Sequence, residues 1–544
     1  MLGRTPRLLS QVDHQFSQAP GPEIPRSSFN RNHGYKTTFN AGKLIPIFVD
    51  EVLPGDSVKL KMTSFARLAT PISPFMDNLF ADVFFFFVPN RLVWTNWEKF
   101  NGAQDNPDDS TDFIMPTITA PSGGWLTGSL ADYFGMPVGK TGIVTRADWH
   151  RSYNLIWNNW FRDENLQDSV VVDVDNGPDT PADYVVLNRG KRHDYFTSAL
   201  PWPQKGPSVP LLASDIPITG LGKGDQTYAN GPVNVYETGQ STTISYTDAS
   251  NTGDNAATNY FFVQEDPDNP GFPNIRAALN TDASNTINSL RESFQIQKMF
   301  ERDARGGTRY IEILRSHFGV ISPDARLQRP EYLGGGTAMI NTSPIPQTSS
   351  TDATTPQGNL AAMGTFSHGG IGFNKSFVEH GILMGLISVR ADLNYQQGLN
   401  RMFTRSTRFD FYWPALSHIG EQTILNKEIY TQGPAVVNGS GEIIDDLVFG
   451  YQERYAEYRY KPSNITGLFR SDVTAGNTTL DWWHLAQDFS ALPELDSAFI
   501  QENPPIARVI AVETEPHFIA DFAFKLTTAR PMPVYAVPGL IDHF

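Results

Sequence analysis

The chain has 544 residues, 40% hydrophobic and 12% aromatic against 18% charged, a balance that supports a packed core and excludes a disordered polymer. Acids outnumber Lys plus Arg 58 to 42, and the net charge of -16 speaks against a protein whose main surface neutralises phosphates. With no cysteine, disulfides, thiolate metal sites and cysteine nucleophiles are excluded together.

The N-terminal stretch MLGRTPRLLSQVDHQF has no continuous apolar segment, so no secretory signal is expected. Over residues 1–43, Arg4, Arg7, Arg26, Arg31, Lys36 and Lys43 face only Asp13 and Glu23. Four prolines and the lack of hydrophobic periodicity predict an extended basic arm over 1–43, with the remaining chain, 44–544, as a single domain. Such an arm is either an ordinary ragged terminus or a contact for nucleic acid. Its six cations are the candidate DNA contacts.

Period-two alternation then begins. In SVKLKM, Val58, Leu60 and Met62 share one face and Lys59, Lys61 and Thr63 the other, as in a strand with one side buried. The same pattern returns late, with Phe518, Ala520, Phe522, Phe524 and Leu526 opposed by Ile519, Asp521, Ala523 and Lys525, so strands from both ends of the chain must share a core. VFFFFV (83–88) is apolar on both faces and predicts a central strand, covered on one side by an opposing sheet and on the other by loops. This run and GILMGLISV (381–389) are strand-sized, far short of the roughly twenty apolar residues of a membrane span.

Helices are sparse. RADWHRSYNLIWNNWFRDEN places Trp149, Tyr153, Ile156, Trp157 and Trp160 at helical spacing, with Asp148 as cap or first-turn acid. A stripe of this kind serves packing, inside the subunit or between subunits, rather than a cofactor. A second helix is expected over about 284–303, stopped by Gly306 and Gly307.

Between these helices, 205–290 forms a long polar excursion with three cations against nine acids. Its runs VNVYET, TTISYT and YFFVQ, separated by turn residues, predict a small β module exposed to solvent as a surface insertion. Gly334 to Gly336 reads as a turn, and NTSPIPQTSSTDATTPQGN (341–359) as a mobile surface loop.

Catalytic and metal motifs are lacking. The histidines show no i, i+4 pair of a zinc helix, and neither GxSxG nor GxxxxGK[ST] occurs. Asp173, Asp175 and Asp179, or Asp105, Asp108, Asp109 and Asp112, have the composition of Ca2+ ligands, but solvated turn acids explain them as well. No catalytic residue or cofactor is expected, and a structural divalent cation stays open without assigned ligands. On composition and periodicity alone, a β-sandwich carbohydrate-binding or glycoside-hydrolase protein fits about as well as a structural one.

Longer strings discriminate between these. FADVFFFFVPNRLVW (80–94), YNLIWNNWFRDENLQD (153–168), KRHDYFTSALPWPQKG (191–206), RDARGGTRYIEILRSHFGV (302–320) and DARLQRPEYLGG (324–335) closely resemble the major capsid protein of microviruses, small tailless single-stranded DNA phages. SVRADLNYQQGLNRMFTR (388–405), FGYQERYAEYRYKPS (449–463) and the C-terminal FKLTTARPMPVYAVPGLIDHF continue the match in order, and the length and central insertion look like the gokushovirus branch.

The resemblance implies a mainly β fold, an eight-stranded antiparallel jelly roll of the viral capsid type with long inter-strand loops and a few short helices. It implies a non-enzymatic virion protein, assembled in the bacterial cytoplasm. Sixty copies, joined through pentamers and threefold contacts, would form a T=1 shell around circular single-stranded DNA. A small basic DNA-binding virion peptide is the implied second partner. The 205–290 insertion would form a protrusion at each threefold axis and meet a host receptor, whose identity the resemblance leaves unknown. Long loops rich in Trp, Tyr and Arg are what subunit interfaces favour. Trp149, Tyr153, Trp157 and Trp160, with Tyr451, Arg454, Tyr455 and Tyr458, are therefore the interface candidates, although burial inside one subunit gives the same pattern.

Overall fold

The computed structural model describes residues 25–207, 287–307, 310–319, 328–352, 356–474 and 476–535, together with four short strands inside 218–277. The chain divides into two compact units, Met1–Pro203 with Ser322–Phe544, and Gln204–Ile321.

The first unit is built on one antiparallel sheet of nine strands. In chain order these are β1 (Ser27–Asn30), β2 (His33–Phe39), β3 (Ile45–Val52), β4 (Ser57–Leu68), β5 (Leu79–Pro89), β6 (Glu331–Pro346), β7 (Leu360–Ser376), β8 (Gly381–Ala391) and β9 (Phe518–Arg530). The spatial order is β1–β9–β4–β7–β6–β5–β8–β3, with β2 pairing β9 beside β1. Because β1 and β2 follow one another along the same edge of β9, nine strands occupy eight ranks. The sheet curls into a half-barrel, since Phe48 of β3 at one end packs 5.2 Å from Phe524 of β9 near the other. A mainly β chain with few helices and this curled antiparallel sheet has the architecture of the expected capsid jelly roll.

Alternation explains why these segments are strands. Along β4 every second residue from Val58 to Leu68 is buried, and along β9 every second residue from Phe518 to Leu526 is buried. The two strands are hydrogen-bonded neighbours, with Leu60 opposite Leu526 and Met62 opposite Phe524. Their inner faces meet Val83, Phe85 and Phe87 of β5 and Leu383, Ile387 and Val389 of β8 in one core. Each fully buried Phe or Leu here contributes about 1.5–3 kcal/mol.

VFFFFV is covered on both faces, as its composition requires. Phe86 and Val88 turn away from the inner core and join Met384 and Leu386 of β8 beneath the helix α1, Asp148–Trp160. That helix buries Tyr153, Ile156 and Trp157 against the sheet, while the Tyr153 hydroxyl donates to the Leu44 carbonyl at 2.8 Å. Asp148 sits in its first turn without capping it and is ion-paired with Arg146.

Two loop expectations fail, for backbone reasons. Gly334 to Gly336 does not turn; it lies within β6 beside a bulge between Tyr332 and Gly334. A Cβ on Gly335 would stand 2.1 Å from the Val83 carbonyl oxygen, so close strand approach, and not a turn, selects glycine there. Likewise residues 341–346, expected in a loop, extend β6 and pair with 360–365 of β7. Backbone hydrogen bonds specify this exposed hairpin end, which carries no apolar period.

The second unit contains α2 (Ile287–Gly306) and α3 (Tyr310–Phe318), joined by a hydrogen bond between His317 Nε2 and the Asp303 carboxylate at 2.6 Å. α2 runs through Gly306, with Gly307 at φ 90° ending it, and residues 284–286 of the expected helix lie outside the described residues. Val233–Val235 pairs antiparallel with Ile244–Tyr246, in the two runs VNVYET and TTISYT, and Ile218–Thr219 pairs with Arg276–Ala277. The third run, 260–264, lies outside the described residues.

Candidate assembly surfaces

Between β8 and β9 the chain makes a connection, residues 392–517, that holds a third core. Tyr395, Ile424, Ile429, Phe449, Ala456, Phe499 and Ile500 pack there with Tyr195, Phe196 and Ala199. A buried polar group braces it: Glu428 accepts from the Tyr195 hydroxyl at 2.9 Å and from Arg401 at 3.1 Å. Burial raises the Glu428 carboxyl above its ordinary pKa, and the Arg401 charge works against that rise.

From this base an aromatic surface projects. Three short 3-10 turns, Arg401–Phe403, Arg408–Asp410 and Pro414–Leu416, keep the backbone compact. Asp410 ties the middle turn by accepting from the Ser406 and Thr407 amides at 2.9 and 2.7 Å, and these bonds lower its pKa to about 2. Phe403 is 70% exposed, Phe409 63% and Phe411 52%, beside half-exposed Tyr412, Trp413 and Tyr458.

Arginines rigidify the cluster. The Arg405 guanidinium lies 4.2 Å from the Tyr458 ring centre and is ion-paired with Glu457 at 3.2 Å. Arg408 lies 4.5 Å over Trp413, whose indole N–H donates to the Arg408 carbonyl at 3.0 Å. Tyr455 holds φ at +64°, a left-handed conformation that costs a non-glycine residue about 1–3 kcal/mol. Its amide donates to Gln422 at 3.0 Å and its hydroxyl to the Phe409 carbonyl at 3.2 Å, which fixes that conformation and the aromatic loop together. Exposed rings held by cations and buried bonds bind a partner with little loss of side-chain freedom.

The structure separates the interface candidates. Tyr153 and Trp157 are buried beneath the sheet, Trp149 is half-buried, and Trp160 is 39% exposed with its N–H on the Pro330 carbonyl at 2.9 Å. Tyr451 pairs through its backbone with Leu200, Tyr455 is buried, and Arg454 reaches the Phe409 carbonyl at 3.5 Å. Only Tyr458 of this group stands on the exposed aromatic cluster. Phe403, Phe409, Phe411 and Trp413 escaped the sequence reading, although aromatics interleaved with arginines in RMFTRSTRFDFYWP carry the signal.

Of the candidate DNA contacts, Arg4 and Arg7 lie outside the described residues. Arg26 donates to Ser57 at 3.3 Å, and Arg31 makes a two-pronged ion pair with Asp50 at 2.6 and 2.8 Å. Lys36 is exposed, 3.4 Å from Asp521, and partial burial lowers the Lys43 pKa. The residues around Lys36 are thus strand β2 and not a free arm. Among the described residues no group of three or more His, Asp or Glu forms a metal site, and no helix is long and apolar enough to cross a membrane.

Comparison with known proteins bears on these surfaces. Residues 17–540 match the family model described as capsid protein (F protein). The capsid protein VP1 of Bdellovibrio phage phiMH2K is 48% identical over 98% of both chains. That of Chlamydia phage 1 is 43% identical over 98% of this chain and 99% of the relative, and that of Spiroplasma virus 4 is 37% identical over 97% of both.

Proposed function

This chain belongs to the capsid protein (F protein) family, with gokushovirus VP1 proteins as relatives, and we propose that sixty copies close a T=1 shell around circular single-stranded DNA. It is a major structural protein of the virion and not an enzyme, and nothing favours the carbohydrate-binding or hydrolytic alternative. The observation that carries the assembly reading further is the exposed Phe403, Phe409, Phe411 and Trp413 cluster. An apolar patch braced by ion pairs and rimmed by arginine is costly to leave in water and fits burial against a second copy.

Mutation at that cluster tests the reading. Phe403→Ser with Phe411→Ser should leave the unassembled chain folded, because both rings are mostly in solvent. Sedimentation and negative-stain microscopy should then show subunits or small oligomers in place of shells. Shells formed in wild-type yield would refute the assignment.

The 205–290 insertion, within the unit Gln204–Ile321, supports a role as an outward threefold protrusion used in host attachment. Its excess of six negative charges favours solvent over a packaged polyanion. A deletion of 208–280 with the ends joined should give particles that assemble and fail to adsorb; loss of assembly would assign the insertion to shell closure instead. A small basic virion peptide fits the acidity of the shell subunit, and assembly in the bacterial cytoplasm fits a capsid protein with bacteriophage relatives.

A further inference from the structure

One face of the curled sheet runs against the charge of the whole chain. The residues of β4 and β9 that point away from the core include Lys59, Lys61, Arg67 and Lys525, all exposed, and Lys36 of β2 lies beside them. Against these five cations the three strands present a single exposed acid, Asp521, which Lys36 approaches at 3.4 Å. Such an excess on three neighbouring strands, in a chain of net charge -16, is a local concentration of positive potential.

The register makes the arrangement costly without a partner. Lys61 stands directly opposite Lys525 across the β4–β9 ladder, and Lys59 is the next outward residue on the same strand. Side chains opposite one another on a sheet lie about 5 Å apart, and like charges in that position repel. Among the described residues of β2, β4 and β9 the one acid on this face is Asp521, which sits four residues along β9 from Lys525 and is shared with Lys36.

An aromatic ring stands in the same field. Phe65 is 57% exposed on the outward side of β4, in phase with Lys59 and Lys61 and between Asp521 on β9 and Ser367 on β7. A flat cationic surface with an exposed ring matches the way proteins bind single-stranded nucleic acid, with cations along the phosphates and a base stacked on the ring. Duplex DNA offers phosphates but no free base face.

We propose that the outward face of β2, β9, β4 and the adjoining part of β7 is a binding surface for single-stranded DNA, with Lys59, Lys61 and Lys525 on phosphates and Phe65 stacked on a base. The proposal rests on the capsid reading and adds to it the side of the subunit that meets the genome. It places that contact on the sheet itself, beyond the N-terminal cations read from the sequence.

The test measures binding of the purified, unassembled full-length chain to a fluorescein-labelled oligothymidylate across a salt series. Neutralising three phosphate contacts should lower the slope of log K against log salt by about 2, at roughly 0.7 per contact for a single strand. Lys59→Gln/Lys61→Gln/Lys525→Gln should therefore bind more weakly with a flatter slope, and the corresponding triple arginine variant should retain both. Phe65→Ala should weaken binding about 5- to 150-fold with the slope unchanged, and Phe65→Tyr should restore it. Unchanged affinity and slope in the triple glutamine variant would overturn the site while leaving the capsid reading intact, provided the wild-type chain binds the oligomer. Glutamine variants that bind normally but no longer form shells would overturn it in favour of a contact between copies. A wild-type chain that does not bind the oligomer, with duplex DNA recovered from particles, would instead overturn the genome reading beneath it.

Discussion

His150 offers a direct test of how the helix α1 is held on the sheet. Its ring is fully buried, stacked 5.5 Å from Trp125 and meeting Phe134 and Tyr184 edge-on at 5.2 and 5.5 Å. Neither ring nitrogen has a hydrogen-bond partner among the described residues. Burial lowers its pKa from 6.5 to about 4, with nearby Asp179 opposing the shift only partly. A histidine with a depressed pKa takes its proton in the unfolded chain first, so stability is intact above pH 6.5 and falls as the pH drops toward 4. At about 1.4 kcal/mol per unit, the 6.5-to-4 interval removes roughly 3 kcal/mol, of which about 2 kcal/mol is lost between pH 7 and pH 5. His150→Phe keeps the ring contacts and removes the titration. Urea unfolding of the unassembled chain at pH 7 and pH 5 should show the variant losing about 2 kcal/mol less than the wild type. Other titrating groups cancel in that difference, because they are common to both proteins. An equal pH dependence in the two would show that His150 is protonated in the folded state, and the argument from burial would fall.

Glu502 should act in the opposite sense: burial raises its pKa from 4.5 to about 6, so its contribution is fully present below pH 4.5 and is lost as the pH rises through 6, by roughly 2 kcal/mol. Glu502→Gln should remove that dependence in the same urea series, and an unaltered profile would refute it. Asp179 holds Arg151, both side chains without exposure, through Nε at 2.7 Å, and also accepts from the Tyr184 hydroxyl at 2.6 Å. Asp179→Asn should cost about 3 kcal/mol by leaving the buried guanidinium only the long, solvent-exposed contact to Asp175 at 3.4 Å as counter-charge, while Arg151→Met with Asp179→Leu should recover most of the loss; a mild single variant would contradict this. Gly335→Ala should cost about 1–3 kcal/mol in thermal unfolding by forcing β6 from the Val83 carbonyl, whereas Gly439→Ala, where a Cβ meets nothing within 4 Å, should stay within about 0.5 kcal/mol.

The sequence made the core strands legible because their side chains obey a period. β4 and β9 alternate cleanly, and VFFFFV reports burial on both faces, which the inner core and α1 supply. Where the backbone decides, periodicity has nothing to report: Gly335 of β6 is selected by the Val83 carbonyl, and residues 341–346 by their ladder to β7. The surfaces follow the same division. In α1 an aromatic at helical spacing is equally consistent with core or interface, and only the fold shows Tyr153 and Trp157 enclosed. Phe403, Phe409 and Phe411 lie in irregular turns with no period at all, so their exposure depends on Arg405, Glu457 and Tyr455 bracing the loop from elsewhere in the chain.

The basic face shows why charge must be read in three dimensions. Lys59 and Lys61 read, on β4 alone, as the ordinary solvated side of a strand. Lys525 lies more than four hundred residues away and reads the same way. Only the register of β4 with β9 sets Lys61 against Lys525, turning two ordinary strand faces into one repulsive surface. A shell protein gains from that placement. Cations interspersed with acids would be neutralised within the subunit. Set on neighbouring strands with Asp521 as their one exposed acid, they keep their field and leave it available to a polyanion, so an acidic chain is able to present one basic face.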